Sequence, residues 1–191
     1  MKSLYLDSDS KDNYNKKLDL FFWEQIMAKA LAEAKKAFEK EEVPVGALII
    51  DQEGQIISSG HNCPVDTNDP TAHAEIVAIR NAGSKQKNYR LNGKILVSTL
   101  EPCIMCLGAI IQARLQGLVF SLRDPKYGSV CSRISVSEDL DWLNHHFWMV
   151  EGILADQSRN LLQAFFALRR KKNGEVPKPG HNGPDSKSGR R

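Results

Sequence analysis

The sequence predicts a single α/β layered domain in which helices alternate with short, buried strands. Some segments repeat apolar residues at steps of three and four, which is typical of a helix with one buried face. Other segments are short, continuous apolar runs, which are typical of strands buried on both faces. The length of 191 residues suits one domain with loose ends, assigned as a flexible leader over 1–18 and a domain over 19–172.

The domain is predicted to begin with a helix and a pair of strands. The apolar run over 45–50 predicts a buried strand. Gly54 permits a tight turn, after which 55–59 can return as a second strand. The stripe of the preceding helix consists of Leu20, Trp23, Met27, Leu31, Ala34 and Phe38.

A loop and two further helices are predicted in the middle of the chain. Residues 62–70 are rich in Asn, Asp and Pro, as loops are, and the helix that follows carries Ile76 and Ile79 on one face. Residues 95–100 indicate a buried strand, and Pro102 suits the first turn of the next helix. The apolar face of that helix consists of Leu107, Ile110, Ile111 and Leu115.

The last elements are two strands and a helix. Strands are predicted over 118–122 and 148–154, and a helix over 155–172. Gly, Pro, Ser and Lys dominate 173–191, so this tail is predicted to be disordered.

The net charge of +3 is concentrated at the C-terminal end of the chain. From Arg169 to Arg191, eight Lys and Arg residues stand against two acidic ones, so this end carries +6 and the rest carries −3. Such an end can neutralise the phosphates of a polyanion and release counterions. The alternative is a solvated tail that binds nothing.

Composition favours a cytoplasmic protein. No apolar run approaches the roughly 18 residues of a membrane span, and the polar start is not typical of a secretory signal. In a reducing compartment, cysteines are more often metal ligands or buried thiols than disulfides. The four cysteines are Cys63, Cys103, Cys106 and Cys131.

Three residues in two short segments have the composition of a catalytic zinc site. His73 lies in the segment TAHAE, and Cys103 and Cys106 lie in EPCIMC. Three protein ligands leave a fourth position open for water, which distinguishes catalytic from structural zinc. The two cysteines are three apart at a predicted helix start, so they share a face where the helix dipole favours thiolates.

Glu75 is the candidate general acid and base. Two residues after His73, it can converge on the same metal only at the junction of a loop and a helix. A carboxylate beside a zinc-bound water can accept its proton and pass it to a substrate. Taken singly, His73 suits a buried histidine, Glu75 suits a solvated helix residue, and the cysteine pair suits a redox site. Their joint spacing is the signature of zinc nucleobase deaminases.

Further segments make the sequence similar to the bacterial tRNA adenosine deaminases, which belong to the zinc cytidine and deoxycytidylate deaminases. Members of that family make inosine at the wobble position of a tRNA anticodon, and they are among the standard examples of the zinc signature described above. The resemblance covers roughly residues 22 to 172. The matching segments are 42–47 (EVPVGA), 69–75 (DPTAHAE), 99–103 (TLEPC), 123–128 (RDPKYG), 144–145 (NH), 151–155 (EGILA) and the Phe165, Phe166, Arg169 and Arg170 end.

The resemblance implies a three-layer α/β/α cytidine-deaminase-like fold with a central mixed sheet of about five strands. It also implies a homodimer with one zinc ion per subunit. Within the pocket, Asn62 is expected to hydrogen-bond the adenine edge. Val43, Pro44, Ala74 and Pro102 are expected to contact the substrate. On composition alone, Asn62 also suits a simple turn residue.

The same resemblance implies contacts with the anticodon stem-loop of a tRNA. Asp124, Lys126, Phe165, Arg169 and Arg170 are expected along the RNA path. Without the resemblance, the aspartate suits a turn and the arginines complement a helix dipole. The segment after Gly128 departs from the very small residues of the family, because bulkier Val130 and Cys131 intervene. Cys131 is expected to be a buried thiol.

The expected reaction is hydrolytic deamination of a wobble adenosine to inosine. One alternative is a free-base or nucleoside deaminase, which would use the same zinc motifs without needing a basic C-terminal end. Another is an RNA-binding module with a structural zinc ion, in which Glu75 would have no use.

Overall fold

Helices cover both faces of one mixed sheet in the structure, a computed structural model that describes residues 3–4, 20–135 and 144–174. The elements are β1 (Ser3–Leu4), α1 (Leu20–Glu39), β2 (Gly46–Ile50), β3 (Ile56–His61), α2 (Pro64–Thr67), α3 (Ala74–Gln86), β4 (Ile95–Leu100), α4 (Ile104–Gln112), β5 (Gly117–Leu122), β6 (Trp148–Glu151) and α5 (Ala155–Lys172). None of the helices in these ranges is long and apolar enough to cross a membrane.

The sheet has the strand order β1-β6-β5-β4-β2-β3. Strands β4, β5 and β6 run parallel, whereas β2 is antiparallel to both of its neighbours and β1 is antiparallel to β6. The predicted five-stranded mixed sheet is therefore confirmed, with the two-residue β1 added at one edge.

Two apolar layers join the helices to the sheet. On one face, buried residues of α3 and α4 such as Ala78 and Ile110 pack against Ile49, Leu96 and Phe120. On the other face, Trp23 and Met27 of α1 pack against Leu48, Val97 and Trp148. The continuous apolar strands are covered on both sides for this reason, and the three-layer α/β/α prediction is confirmed.

The strand directions gather several chain segments at one edge of the sheet. The carboxyl ends of β3, β4 and β5 meet there beside the start of β2, which is where ligands bind in open α/β sheets. Helix α3 lies very close to this edge. A Cβ atom on Gly60 would approach the carbonyl oxygen of Ala74 to 2.6 Å, so only glycine fits between the strand and the helix.

Most predicted elements match the structure, and the differences lie at their ends. The last strand ends at Glu151 instead of continuing to 154, because Gly152 and Leu154 adopt positive φ angles of 90° and 53°. Helix α4 begins at Ile104, so Pro102 lies just before the N-cap and not within the first turn. The loop predicted over 62–70 contains the four-residue helix α2. The tail from 175 and most of the leader fall outside the described residues.

Candidate metal centre and adjoining cavity

The side chains of His73, Cys103 and Cys106 converge at this edge of the sheet. Each cysteine Sγ lies 3.6 Å from His73 Nδ1, and the two sulfur atoms are 3.7 Å apart. All three donor atoms lie within 4.8 Å of one another, as a shared metal ion requires. The sulfur separation is far longer than the roughly 2.05 Å of a disulfide, so the two thiols are free.

The geometry of the three donors fits zinc. In a tetrahedral site with Zn–S of about 2.3 Å and Zn–N of about 2.0 Å, two sulfur ligands are about 3.8 Å apart and sulfur and nitrogen about 3.5 Å. The observed separations of 3.7 and 3.6 Å match these values. One imidazole and two thiolates are also the donor types that zinc prefers.

Two helix N-termini position these ligands. His73 is the N-cap of α3 and Cys103 is the N-cap of α4, each with extended backbone angles. Hydrogen bonds from Cys106 and His73 lower the pKa of the Cys103 thiol to about 4. The Cys106 thiol behaves in the opposite way, because its hydrogen bond with Cys103 and its burial both raise its pKa. The first of the two thiols is therefore ionised at neutral pH and is ready to bind a cation.

A network of hydrogen bonds fixes the turn that precedes His73. Asp69 Oδ1 accepts bonds from the backbone N–H and the hydroxyl of Thr71, at 2.8 and 2.6 Å. The Arg80 guanidinium, in the second turn of α3, donates to Asp69 Oδ2 and to Thr71 Oγ1. The bonds from Thr71 and Arg80 lower the pKa of Asp69 to about 2. The carboxylate therefore stays ionised and ties the loop to the helix.

Glu75 is a buried carboxyl group beside the metal ligands. Its side chain is only 4% exposed, yet it lines the same cavity as His73 and Cys103. Burial raises its pKa to about 7, while the positive charge of His73 opposes that rise. The prediction that His73 and Glu75 meet at a loop–helix junction agrees with this position at the start of α3.

A cavity of about 690 Å³ opens over the metal ligands. Its base is formed by buried groups, and its rim is formed by the loop after β5 and by α5. The cavity is lined by Val43, Val45, Asn62, His73, Glu75, Leu100, Glu101, Cys103, Leu122, Arg123, Asp124, Pro125, Lys126, Tyr127, Leu162 and Phe166.

Asn62 directs its side-chain amide into this cavity. It is only 9% exposed, and its Oδ1 accepts the backbone N–H of Ala74 at 3.2 Å. The contact fixes the amide, so that the Nδ2 group remains to donate hydrogen bonds towards a bound molecule. Val43 lines the cavity beside it.

The other predicted pocket residues lie one step behind the cavity wall. Pro44, Ala74 and Pro102 are buried and do not line the cavity. Ala74 acts through its backbone N–H, and the carbonyl of Pro102 accepts the N–H of Ser129 at 2.9 Å.

Two of the predicted RNA-path residues lie on the loop after β5. Asp124 and Lys126 both line the cavity. Asp124 Oδ1 accepts the backbone N–H groups of Lys126 and Tyr127, at 2.9 and 3.2 Å. The exposed ring of Tyr127 also borders the cavity, although no sequence pattern singled it out as a separate contact.

The remaining predicted RNA-path residues lie on α5. Phe165 is buried, and the neighbouring Phe166, which is 45% exposed, lines the cavity instead. Arg169 stacks over the Phe165 ring at 5.7 Å and lies 4.0 Å from Glu41. Arg170 is exposed on the same turn.

Glu101 is the main site residue that sequence reasoning missed. It is 2% exposed, and its carboxylate accepts the backbone N–H groups of 124, 130, 131 and 132 at 2.7 to 3.1 Å, together with the Ser132 hydroxyl. A Cβ atom on Gly128 would overlap this carboxylate. Glu101, two residues before Cys103, therefore holds the loop after β5 that forms the rim.

The bulky residues after Gly128 turn away from the cavity. Val130 is 1% exposed and packs in the core beneath the loop. Cys131 is half-buried, with its Sγ 3.6 Å from Met149 Sδ, and burial raises the pKa of its thiol to about 11. It lies outside the group of three metal ligands.

Fold and metal centre together define a zinc-dependent deaminase. Residues 22–122 match the family model for the cytidine and deoxycytidylate deaminase zinc-binding region, which covers more than half of the chain. His73, Cys103 and Cys106 lie within the matched range and could hold one zinc ion per chain.

Similar proteins of known name place the chain in one family within the zinc-dependent deaminases. The chain is 43% identical to the tRNA-specific adenosine deaminase of Haemophilus influenzae over 78% of its own length and 86% of the relative. It is 44% identical to the enzyme of the same name from Aquifex aeolicus, over 77% of this chain and 95% of the relative. The chain belongs to the family of tRNA-specific adenosine deaminases.

Solved structures agree with this placement. A structure from a study of A-to-I editing by tRNA:A34 deaminases at the wobble position superposes with a TM-score of 0.66 and 37% identity, covering 72% of this chain and 98% of that one. A guanine deaminase from Bacillus subtilis is 38% identical, but it covers only 52% of this chain and 64% of its own, with a TM-score of 0.50.

Proposed function

We propose that this protein converts adenosine to inosine at the wobble position of a tRNA anticodon loop, with water as co-substrate and ammonia as product. The observation that carries the proposal is the position of the buried Glu75 carboxyl beside the three metal ligands, at the base of an open cavity. The likeness to tRNA-specific adenosine deaminases supports tRNA as the substrate.

In this proposal His73, Cys103 and Cys106 hold the zinc ion. Held by these three side chains, a zinc ion would make a water molecule at the site acidic enough to lose a proton near pH 7. The ionised Cys103 thiol favours binding of the cation. The extended N-cap geometry of His73 and Cys103 keeps both side chains aimed at one point.

Glu75 moves the protons of the reaction. Its carboxylate accepts a proton from the attacking water, whose oxygen bonds to C6 of adenine. Glu75 delivers that proton to N1 of the ring. It then moves the remaining proton of the added hydroxyl to the amine, so that the C6–N bond breaks as the C6 carbonyl forms. Water and adenosine thus give inosine and ammonia. A pKa of about 7 suits a carboxyl group that must both accept and release protons near neutral pH.

Asn62 orients the adenine ring over the metal centre. Its Oδ1 is engaged by the Ala74 N–H, so its Nδ2 can donate to a ring nitrogen, and the ring nitrogens of adenine are acceptors. Val43 contributes an apolar wall to the cavity. Pro44 and Pro102 are buried and do not line the cavity, so neither is proposed to contact the base.

An anticodon loop suits this cavity, because its bases are unpaired and can be splayed out of the stack. Asp124 and Lys126 lie on the rim that the RNA would cross, and Arg169 and Arg170 would extend the RNA path along α5. Phe165 is buried beneath the Arg169 guanidinium, so Phe166, which lines the cavity, takes the place expected of Phe165. The exposed basic residues at the end of α5 suit phosphates.

The finer assembly is also a proposal. We infer a homodimer that acts in the cytoplasm, as the family resemblance implies. Sedimentation equilibrium should give a mass of twice the 21.4 kDa chain. A mass equal to one chain at micromolar concentration would contradict the dimer.

Guanine deamination is the competing function, because a guanine deaminase shares 38% identity over about half of the chain. The decisive experiment incubates the purified protein with a tRNA pool and, separately, with free guanine, cytosine and adenosine. Mass spectrometry of the digested nucleosides should find inosine in the tRNA and leave the free compounds intact. Consumption of guanine with unchanged tRNA would overturn the proposed substrate and retain the zinc chemistry.

A second alternative is a non-catalytic RNA-binding protein with a structural zinc site, and it predicts a different result in the same experiment. Such a protein would bind tRNA and zinc, but it would form no inosine under any condition. The buried carboxyl of Glu75 argues against a purely structural zinc site. Burying an ionisable group costs free energy, and a structural site would gain nothing from that carboxyl.

A further inference from the structure

An exposed aromatic ring borders the cavity at a position to which the proposed reaction gives no role. Tyr127 is 62% exposed and lies on the rim loop after β5. Large apolar and aromatic side chains are usually buried, so an exposed ring at the mouth of a cavity is a candidate contact surface.

The backbone beneath the ring is held in place before any ligand arrives. Asp124 accepts the N–H of Tyr127, and the Tyr127 carbonyl accepts the Ser129 hydroxyl at 3.1 Å. The Glu101 carboxylate accepts the backbone N–H groups of Asp124 and Val130, which come before and after Tyr127 in the chain. A contact made by this ring therefore requires little further ordering of the backbone.

The chemistry of the neighbouring side chain suits RNA. The Lys126 ammonium lies over one face of the Tyr127 ring, 4.9 Å from its centre. In the described ranges no carboxylate forms a salt bridge with Lys126, whereas nearby Arg123 is paired with Glu151. A ring with a cation over one face can receive a nucleotide, because its other face can stack on a base while the cation meets the phosphate.

We propose that Tyr127 is a stacking platform for the base next to the target adenosine, and that Lys126 contacts the phosphate between the two nucleotides. A target base that enters the cavity must leave its stack, so its neighbour loses a partner at the rim. The Tyr127 ring replaces that partner. This inference rests on the proposed function and identifies a positioning residue on the substrate path.

The chain contains a matched control for this pair. Tyr89 is 69% exposed, and the Arg90 guanidinium lies 5.5 Å from the centre of its ring. Tyr89 borders a different cavity beside Lys87, away from the metal ligands. Its replacement therefore tests whether loss of any exposed tyrosine beside a cation would affect the enzyme.

The experiment measures kcat/KM for inosine formation in an anticodon stem-loop RNA. Loss of one stacked base contact should lower kcat/KM for Tyr127→Ala by about five- to a hundredfold. Tyr127→Phe should stay close to wild type, because it keeps the stacking face. Tyr89→Ala should equal wild type, and all three variants should retain zinc and their melting temperature.

Two RNAs that each lack one base flanking the target adenosine identify the partner of the ring. On the RNA that lacks the base stacked on Tyr127, kcat/KM of the wild type should fall by about the factor that Tyr127→Ala causes on intact RNA. On that abasic RNA, Tyr127→Ala should lower kcat/KM no further. The inference is overturned if Tyr127→Ala matches wild type on the intact RNA. It is also overturned if Tyr127→Ala has a kcat/KM below that of wild type by the same factor on both abasic RNAs, because neither flanking base would then be the partner of the ring. Absence of inosine with wild-type protein would instead overturn the proposed function, and this inference with it.

Discussion

The base and the rim of the cavity are built in different ways. At the base, His73 and Glu75 are two residues apart, and Cys103 and Cys106 are three apart, so local helix geometry sets their positions. At the rim, the loop over 123–133 has no regular structure of its own and is held by a carboxylate from another segment, Glu101.

This difference separates chemistry from substrate choice. Buried and half-buried groups at helix N-termini stay in one geometry, as metal binding and proton transfer require. An exposed loop that is anchored underneath can vary in its outward side chains without moving the metal ligands. We therefore expect changes at the base to abolish turnover and changes at the rim to weaken the use of RNA.

The largest effect should follow loss of a metal ligand. Cys103→Ala removes one of the three donors, so zinc should fall from about one per chain to a small fraction, and turnover should fall to background. Elemental analysis and an inosine assay measure both quantities. Cys131→Ala is the control and should keep full zinc, because Cys131 lies outside the ligand group. A fully zinc-loaded Cys103→Ala protein would show that the ligands are assigned wrongly.

The next largest effect should follow loss of the proton carrier. Glu75→Gln keeps the size of the side chain and removes its ability to accept a proton, so kcat should fall by about 10² to 10⁴ while zinc is retained. Single-turnover assays with saturating RNA measure the chemical step. Glu53→Gln, on an exposed turn, should match wild type. Equal rates for Glu75→Gln and wild type would remove Glu75 from the mechanism.

Breaking the anchor of the rim should weaken the fold and the use of RNA together. Glu101→Gln replaces two acceptor oxygens by one acceptor and one donor, although every partner of Glu101 donates. A loss of about 1 to 3 kcal/mol in unfolding free energy is expected for a mispaired buried group. Denaturant unfolding measures it, and KM for RNA should rise while zinc is retained. Unchanged stability and KM would show that the rim does not depend on Glu101.

The effect of Glu101 should depend on pH. Burial acts to raise its pKa, but hydrogen bonds from Ser132, Cys131 and Asp124 outweigh burial and lower the pKa from 4.5. Because the folded-state value is the lower one, the carboxylate stabilises the fold above pH 4.5 and this contribution is lost as the pH falls through the lowered value. The stability gap between wild type and Glu101→Gln should therefore shrink as the pH falls below 4.5. A gap that widened in acid would contradict this account.

The smallest effect should come from one exposed cation on α5. Arg170→Ala should raise KM for RNA about two- to fivefold and reduce the slope of log K against log salt by about one. Titrations at several salt concentrations measure this slope. Arg159→Ala, at the other end of the helix and paired with Asp156, is the control. An unchanged slope for Arg170→Ala would place Arg170 outside the RNA path.

The base of the site could be predicted from the sequence because its signals are local. The spacing of His73 and Glu75 required a loop–helix junction, and the structure has one there. The buried strands and α5 were likewise visible in short apolar patterns. Small errors arose where single residues change the backbone direction, as at Gly152 and Leu154 after β6.

The rim could not be predicted because its determinants are distant in sequence. Glu101 meets its donors 23 to 31 residues later, and no periodicity indicates such a contact. Phe166 lines the cavity and Phe165 is buried because of the orientation of α5 about its own axis. Sequence spacing alone does not determine that orientation.

The most direct test of the central claim compares one adenosine in two settings. Two stem-loop RNAs of equal length carry a single adenosine, either at the wobble position of the loop or paired within the stem. Mass spectrometry of the digested RNA should find inosine formed at least about a hundredfold faster in the loop, because a paired and stacked base cannot reach the zinc centre. Equal rates in the two RNAs, or faster deamination of free adenosine than of either, would contradict the account.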